Sequence, residues 1–144
     1  MKKIRLGVIG VGSHGTGHVR NIRNGMTPEI EVAAICDVDP EAIARVQKEF
    51  GDIPAILMGD MNANENSQTY TKATETFVDT RHATENTSDA CTFQNWGTVE
   101  KWIDYCFVSE DAFTVNSFAV VTDTYDGAHP SDHNPLSVSL TLNK

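Results

Sequence analysis

Three short apolar runs separated by two helix-length segments constrain the fold of this chain more than any other feature. The runs cover residues 4–9, 31–36 and 54–59, and each has the length of a buried strand. A helix is predicted over 16–24, and a second over 40–50 because Asp39-Pro40-Glu41 supplies a cap and a proline in the first turn. The order β-α-β-α-β is typical of parallel sheets, so we expect 54–59 to pair as a third parallel strand.

The remainder of the chain shows weaker periodicity. Residues 63–101 are polar, and only a helix around 67–76 is predicted there. Strands are expected over 102–108 and 113–122. The segment 136–142 alternates apolar residues with Ser and Thr, which indicates a half-buried strand.

A glycine motif follows the first strand directly. Gly10, Gly12 and Gly15 fit G-x-G-x-x-G, and Asp37 ends the second strand. In a dinucleotide site these glycines permit a tight turn, a close approach of the pyrophosphate and close helix–strand packing. Asp37 would accept hydrogen bonds from ribose hydroxyls, which favours NAD over NADP. The alternative is a glycine-rich turn that binds nothing.

The text around this motif resembles the glucose–fructose oxidoreductase and inositol dehydrogenase family. The matching letters are IRLGVIGVGSHGTGHVRNI and EVAAICDVDPEAIARVQKEFG. The resemblance implies a dinucleotide-binding Rossmann segment over residues 1–51. The family's Glu-Lys-Pro motif with its catalytic lysine and its substrate domain do not follow in this sequence.

Three polar motifs lie in the second part of the chain. Gly59-Asp60-Met61-Asn62 follows an apolar strand, Asp104 lies within a predicted strand, and Asp132-His133 precedes the last strand. A charge inside a strand is costly unless it is paired. Taken singly, the three could be a turn, an edge charge and a loop, but their order and spacing together indicate a site.

The letters PAILMGDMNANENS, WIDYCFVS and HPSDHNPLSVSLTL resemble the C-terminal half of the endonuclease/exonuclease/phosphatase superfamily. The resemblance implies a magnesium-dependent phosphoesterase in which Asp60 orients or deprotonates water and Asn62 holds phosphate or metal. It also implies that Asp132 lies in the metal region and that His133 contacts the scissile phosphate, with Asp104 as its carboxylate partner. Asp60, Asn62 and Asp132 are the expected metal ligands.

Each resemblance is incomplete. The superfamily's N-terminal half supplies a metal-binding glutamate, and residues before Pro54 offer no recognisable counterpart. We therefore expect an α/β chain in which a partial Rossmann βαβα unit is joined to half of a four-layer α/β sandwich with a mixed sheet. The predicted domains are 1–51 and 52–144, or one hybrid domain. We expect such a chimera to be an inactive phosphoesterase-like fragment with weak Mg²⁺ binding and an uncovered, aggregation-prone sheet face. The alternatives are an NAD(P)-binding oxidoreductase fragment and a non-catalytic chimera.

The charge distribution changes near residue 51. Residues 1–51 hold seven Lys and Arg against six Asp and Glu, a net charge of +1, whereas residues 52–144 hold four against fourteen, a net charge of −10. Such an acidic surface disfavours a nucleic-acid partner, which leaves a small phosphate ester or a dinucleotide as the expected ligand. No run of about 18 apolar residues is present, so no membrane span is predicted. The three cysteines are expected to be free thiols, and a cytoplasmic location is predicted.

Overall fold

The computed structural model describes residues 3–51 and 53–143, which form two compact units, residues 1–58 and 59–144. The first unit follows the predicted order β1 (Ile4–Ile9), α1 (Ser13–Arg23), β2 (Ile30–Asp37), α2 (Pro40–Phe50) and β3 (Ala55–Asp60), whose last two residues begin the second unit. β1 pairs with β2, and β2 pairs with β3 through Ile35↔Ala55, both in parallel. The expected third parallel strand is confirmed.

Helix α2 begins where the sequence predicts its start. The Asp39 side chain accepts a hydrogen bond from the Glu41 backbone N–H at 2.9 Å, and Pro40 opens α2. α1 starts three residues earlier than expected, directly after Gly12. Arg20 holds α1 to α2 through two bonds to the Glu49 carboxylate at 2.7 and 2.8 Å. The largest fully buried side chains of this unit come from strands, helices and the glycine turn: Val11, Val19, Ile35, Ile43, Val46 and Leu57.

The outer strand of the first unit leaves apolar side chains in solvent. Ile4 is 63% exposed and Ile9 is 86% exposed, although both lie in the apolar run that predicts β1. β1 pairs with β2 along its length, and a strand of this kind normally buries such residues. Ile4 and Ile9 therefore form exposed apolar surface on β1.

The second unit contains α3 (Gln68–Thr74), β4 (Phe77–Asp79), β5 (Asp104–Ser109), β6 (Phe113–Val120) and β7 (Leu136–Leu142). β4 pairs antiparallel with β5, and β6 pairs antiparallel with β7 from Phe113↔Leu142 to Val120↔Leu136. β4 has three residues and was not predicted, because a strand that short shows too little periodicity. β5 starts at Asp104 rather than at residue 102.

Aromatic rings form the core of the second unit. Phe107 is fully buried, with ring centroids 5.3 Å from Tyr105 and 5.8 Å from Tyr70. Parallel pairs in one unit and antiparallel pairs in the other confirm the predicted α/β class with strands of both directions. Among the described residues, no helix has the length and apolar character needed to cross a membrane. All three cysteines are free thiols.

Candidate active site

A tight turn after β3 presents the first two site residues. The Asp60 carboxylate accepts hydrogen bonds from the Asn62 backbone N–H at 2.8 Å and from the Asn62 side-chain amide at 3.1 Å. Asn62 has a φ of 48°, a left-handed conformation that asparagine tolerates better than most residues. The Met61 N–H donates to the Ile103 carbonyl at 2.8 Å, which anchors the turn beside the start of β5. Gly-Asp-Met-Asn is therefore a braced turn with its polar groups in solvent.

Asp104 and His133 form a hydrogen-bonded pair. Asp104 is the first residue of β5, and its carboxylate lies 2.9 Å from Nδ1 of His133. The side chains are 18% and 30% exposed, so the pair is shielded but reachable. The hydrogen bond to Asp104 raises the pKa of His133, which burial only partly opposes, and the nearby Asp132 and Asp60 raise it further. This bond orients the imidazole and leaves Nε2 on the far side of the ring.

The structure groups one carboxylate from each of the first two motifs with the histidine of the third. Ligand atoms of Asp60, Asp104 and His133 all lie within 4.8 Å of one another. Mg²⁺ binds oxygen ligands, and the carboxylates of Asp60 and Asp104 fit such an ion. His133 fits this role less well, because its Nδ1 is engaged with Asp104.

Asp132, predicted as a metal ligand with Asp60 and Asn62, directly precedes His133. Its carboxylate accepts a hydrogen bond from the Ser131 hydroxyl at 3.3 Å and is not part of the group within 4.8 Å. Its backbone carbonyl accepts from the N–H groups of Gln94 and Asn95, both at 3.0 Å. Asp132 therefore contributes negative charge near His133 and fixes the loop that carries it.

Thr92 is a positioning residue that the sequence did not suggest. It is fully buried, and its hydroxyl oxygen accepts hydrogen bonds from the backbone N–H groups of Ile103 and Asp104 at 3.0 and 3.1 Å. Its carbonyl accepts from the Asn134 N–H at 2.7 Å. One residue thus connects the start of β5 to the His133 loop. A single threonine in a polar stretch carries no sequence signal for this role.

A second polar cluster lies at the end of β4. Ligand atoms of Glu65, Asp79 and His82 lie within 4.8 Å of one another. Arg81 contacts Glu65 at 2.9 Å, and the Tyr70 hydroxyl donates to Asp79 at 3.0 Å. Burial raises the pKa of Asp79, and the hydrogen bonds from the Arg81 backbone N–H and the Tyr70 hydroxyl partly offset this rise. Because its carboxylates are satisfied by protein groups, this cluster is an internal hydrogen-bond network.

The glycine motif of the first unit adopts the geometry expected of a strand-to-helix turn. Gly10 has a φ of 81°, and Gly12 caps α1 without a side-chain hydrogen bond. A Cβ added at Gly15 would overlap the Gly10 carbonyl, so only glycine fits there. The Asp37 carboxylate accepts from the N–H groups of Val11 at 2.6 Å and Asp39 at 3.0 Å. Asp37 therefore braces the glycine turn from the end of β2.

Comparison with known proteins identifies the family of this site. The model of a family described as the endonuclease/exonuclease/phosphatase family matches residues 8–133. A solved endonuclease/exonuclease/phosphatase from Bacteroides vulgatus superposes with a TM-score of 0.62 at 25% identity, over 70% of this chain and 41% of that protein. A family protein from Bacteroides thetaiotaomicron gives a TM-score of 0.61 at 31% identity, over 71% of this chain and 42% of that protein. The human Nocturnin catalytic domain shares the fold, with a TM-score of 0.53 at 19% identity, over 72% of this chain and 38% of its own. The chain thus spans about two fifths of the length of these structures.

Two curated proteins match short stretches of the chain. A glycosyl hydrolase family 109 protein from Shewanella amazonensis is 40% identical over 52 residues, which are 36% of this chain and 11% of that protein. An L-aspartate dehydrogenase from Methanopyrus kandleri is 38% identical over 53 residues, 36% of this chain and 20% of that protein. Each match covers a small part of its relative.

Proposed function

Because the chain belongs to the endonuclease/exonuclease/phosphatase family, we propose that its second unit carries the residues of a metal-dependent phosphoester hydrolase acting on a small phosphate ester. The observation that carries this proposal is the Asp104–His133 pair, 2.9 Å between Oδ2 and Nδ1, grouped with Asp60. Phosphoryl transfer requires positioned water and donors for developing charge, and these residue types supply both.

The proposed roles follow from the hydrogen bonds of each group. His133, held by Asp104 through Nδ1, presents Nε2 to a phosphate oxygen and carries a proton more readily because its pKa is raised. Asp60 orients water or accepts its proton from the turn that Asn62 braces. Asn62 retains its side-chain oxygen for phosphate or metal. Asp132 acts through charge and loop position.

A divalent cation would be held by Asp60 and Asp104 and would neutralise charge on the phosphoryl oxygens. One oxygen of Asp104 also accepts the hydrogen bond from His133, so the same carboxylate would both bind the cation and hold the imidazole. Mg²⁺ sites with few carboxylates depend on substrate phosphate for the remaining ligands. We therefore propose that the chain binds Mg²⁺ weakly on its own and turns over slowly.

Hydrolysis of p-nitrophenyl phosphate with and without Mg²⁺ tests this function. Slow Mg²⁺-dependent release is expected, reduced about 100-fold or to background in His133→Ala, since loss of a general acid or base costs 10²–10⁴ in rate. His18→Ala, an exposed histidine on α1, is the matched control and should leave the rate unchanged. Equal rates in both variants would contradict the proposal. Where the rate is at background, binding of inorganic phosphate with Mg²⁺, followed by NMR, must perturb the His133 ring.

A second candidate function is dinucleotide binding by the first unit. It is supported by the close approach at Gly15 and by the glycine turn that opens α1. Both Asp37 oxygens already accept backbone hydrogen bonds, and each still has a lone pair for a ribose hydroxyl. NAD should raise the melting temperature, and Gly12→Val should abolish the rise. An NAD shift that persists in Gly12→Val would place the ligand elsewhere.

We also propose that the chain is a hybrid joined near residue 51. The change from +1 to −10 in net charge near that residue supports it. The family match over residues 8–133 crosses this point, so a hybrid would have to preserve the family's order of strands and helices. Trypsin should release residues 49–72 as one peptide, and its detection by mass spectrometry in the source organism would show that the joined chain is made. Finding only peptides that end at the junction would refute it.

A further inference from the structure

An open groove of about 660 Å³ begins beside the candidate active site. Asn62 lines its near end while its amide donates to Asp60 at 3.1 Å. Ile103, the residue before Asp104, lines the adjacent wall. A phosphate at the Asp60–His133 cluster would therefore have its ester group next to this groove, whose volume is within the range of small-molecule sites.

In the groove lining, the Arg81 guanidinium stacks on the Trp102 ring. The Arg81 guanidinium carbon lies 3.5 Å from the centroid of the Trp102 ring, and Arg81 Nη1 lies 2.9 Å from a Glu65 oxygen. The Arg81 side chain is only 20% exposed. Its charge is thus neutralised, and it covers one face of the indole, so that face is closed to a stacked base or apolar ring.

Apart from Trp102 and Ile103, the lining is polar and has no net charge. The two negative charges of Glu65 and Glu100 equal the two positive charges of Arg81 and Lys101. The side-chain amides of Asn64 and Asn66 also line the groove. A polyanion would meet no uncompensated cluster of cations here. An apolar group would leave amides and carboxylates without partners. Amides and carboxylates together offer donors and acceptors, as hydroxyl groups require.

We propose that this groove binds the alcohol part of the substrate, and that this part is a single uncharged, polyhydroxylated ring of the size of a monosaccharide. The inference rests on the proposed phosphoesterase function and specifies its substrate class. Asn66 and Glu100 are the residues expected to determine specificity, because both are exposed at the groove surface and neither belongs to the Asp60–His133 cluster.

NMR titration of the full chain in Mg²⁺ tests the inference with three probes: glucose 1-phosphate, phenyl phosphate and fructose 1,6-bisphosphate. Glucose 1-phosphate should bind about tenfold more tightly than phenyl phosphate, the size of one or two hydrogen bonds. Asn66→Ala and Glu100→Ala should each remove most of that preference and leave phenyl phosphate binding within about twofold. Glu85→Ala, an exposed glutamate outside the groove, is the matched control and should retain the preference.

The outcomes separate the two proposals. Equal affinity for glucose 1-phosphate and phenyl phosphate, with both perturbing His133, would overturn the groove assignment and leave the hydrolase proposal standing. Tightest binding of fructose 1,6-bisphosphate would overturn it in favour of a second phosphate subsite. Failure of all three esters to perturb His133 would count against the hydrolase proposal. In that case the same NMR titration is carried out with methyl α-glucoside, which has no phosphate. Chemical-shift changes confined to the groove residues would support the groove assignment, and their absence would refute it.

Discussion

Replacing Gly15 by alanine perturbs the point where α1 passes closest to the glycine turn. The added Cβ would overlap the Gly10 carbonyl oxygen and lie 2.8 Å from its carbon, closer than the 3.0 Å that real Cβ atoms respect. Both obstructing atoms are backbone, so no side chain can rotate away. Gly17, two residues further along the same helix, has no atom within 4 Å of an added Cβ and serves as the matched control.

The comparison of the two variants isolates the packing cost. Alanine in a helix interior is favoured over glycine by about 0.5–1 kcal/mol, and both substitutions share that gain. Gly17→Ala should therefore raise the free energy of unfolding by about that amount. Gly15→Ala must also separate helix from turn, and overpacking of this kind costs about 1–3 kcal/mol. The free energies of unfolding of the two variants should therefore differ by about 3 kcal/mol. This is the upper end of the range, because backbone atoms move less readily than side chains.

Far-UV circular dichroism is the appropriate probe. α1 and α2 have eleven residues each and α3 has seven, so most helical signal comes from the first unit. Both tryptophans, Trp96 and Trp102, lie in the second unit, and their fluorescence would follow the wrong residues. For a domain of this size, about 3 kcal/mol corresponds to a difference of roughly 10–20 °C in melting temperature. Equal melting temperatures would refute the close approach and the role assigned to the third glycine.

Three further perturbations test the second unit. In the absence of divalent cations, the raised pKa of His133 should add to the free energy of unfolding below the unfolded-state value of about 6.5. That contribution should fade as pH rises through the higher folded-state pKa, and a urea-denaturation pH profile that Asp104→Asn leaves unchanged would contradict this linkage. Tyr70→Phe removes the hydroxyl that donates to buried Asp79 at 3.0 Å and should cost about 1 kcal/mol by the same assay, whereas a neutral result would mean that water replaces it. Phe107→Ala empties the centre of the aromatic core and should cost about 3–5 kcal/mol, and a loss below about 1 kcal/mol would show that the core collapses around the gap.

Much of the fold could be predicted because its signals are local. The cap at Asp39 and the 3.6-residue spacing of Ile43 and Val46 define α2 without any distant contact. The alternation in β7 defines which of its side chains face inward. β4 was missed because three residues cannot display a period, and its pairing with β5 is made across 25 or more intervening residues.

The candidate site was likewise predictable only in its local features. Its residue types and their order along the chain were visible in the sequence, as the Gly-Asp-x-Asn turn after β3 and the Asp132-His133 pair before β7. The sequence predicts Asp60, Asn62 and Asp132 as metal ligands and Asp104 as the partner of His133. The folded chain brings Asp60, Asp104 and His133 within 4.8 Å of one another, and the ligand set stays a prediction. Which carboxylates converge depends on the direction in which each loop leaves its strand, and no local pattern encodes that direction.

By itself the sequence therefore determined the strand and helix order, the glycine turn and the chemistry available at residues 60, 104 and 133, because each depends on neighbours within a few positions. Only the tertiary structure decided that Thr92 joins β5 to the His133 loop, that Asp132 supports that loop through its carbonyl, and that Arg81 closes one face of Trp102. Those contacts are made between segments distant in the chain. They arise from buried hydrogen bonds and ring packing that exist only once the segments have met.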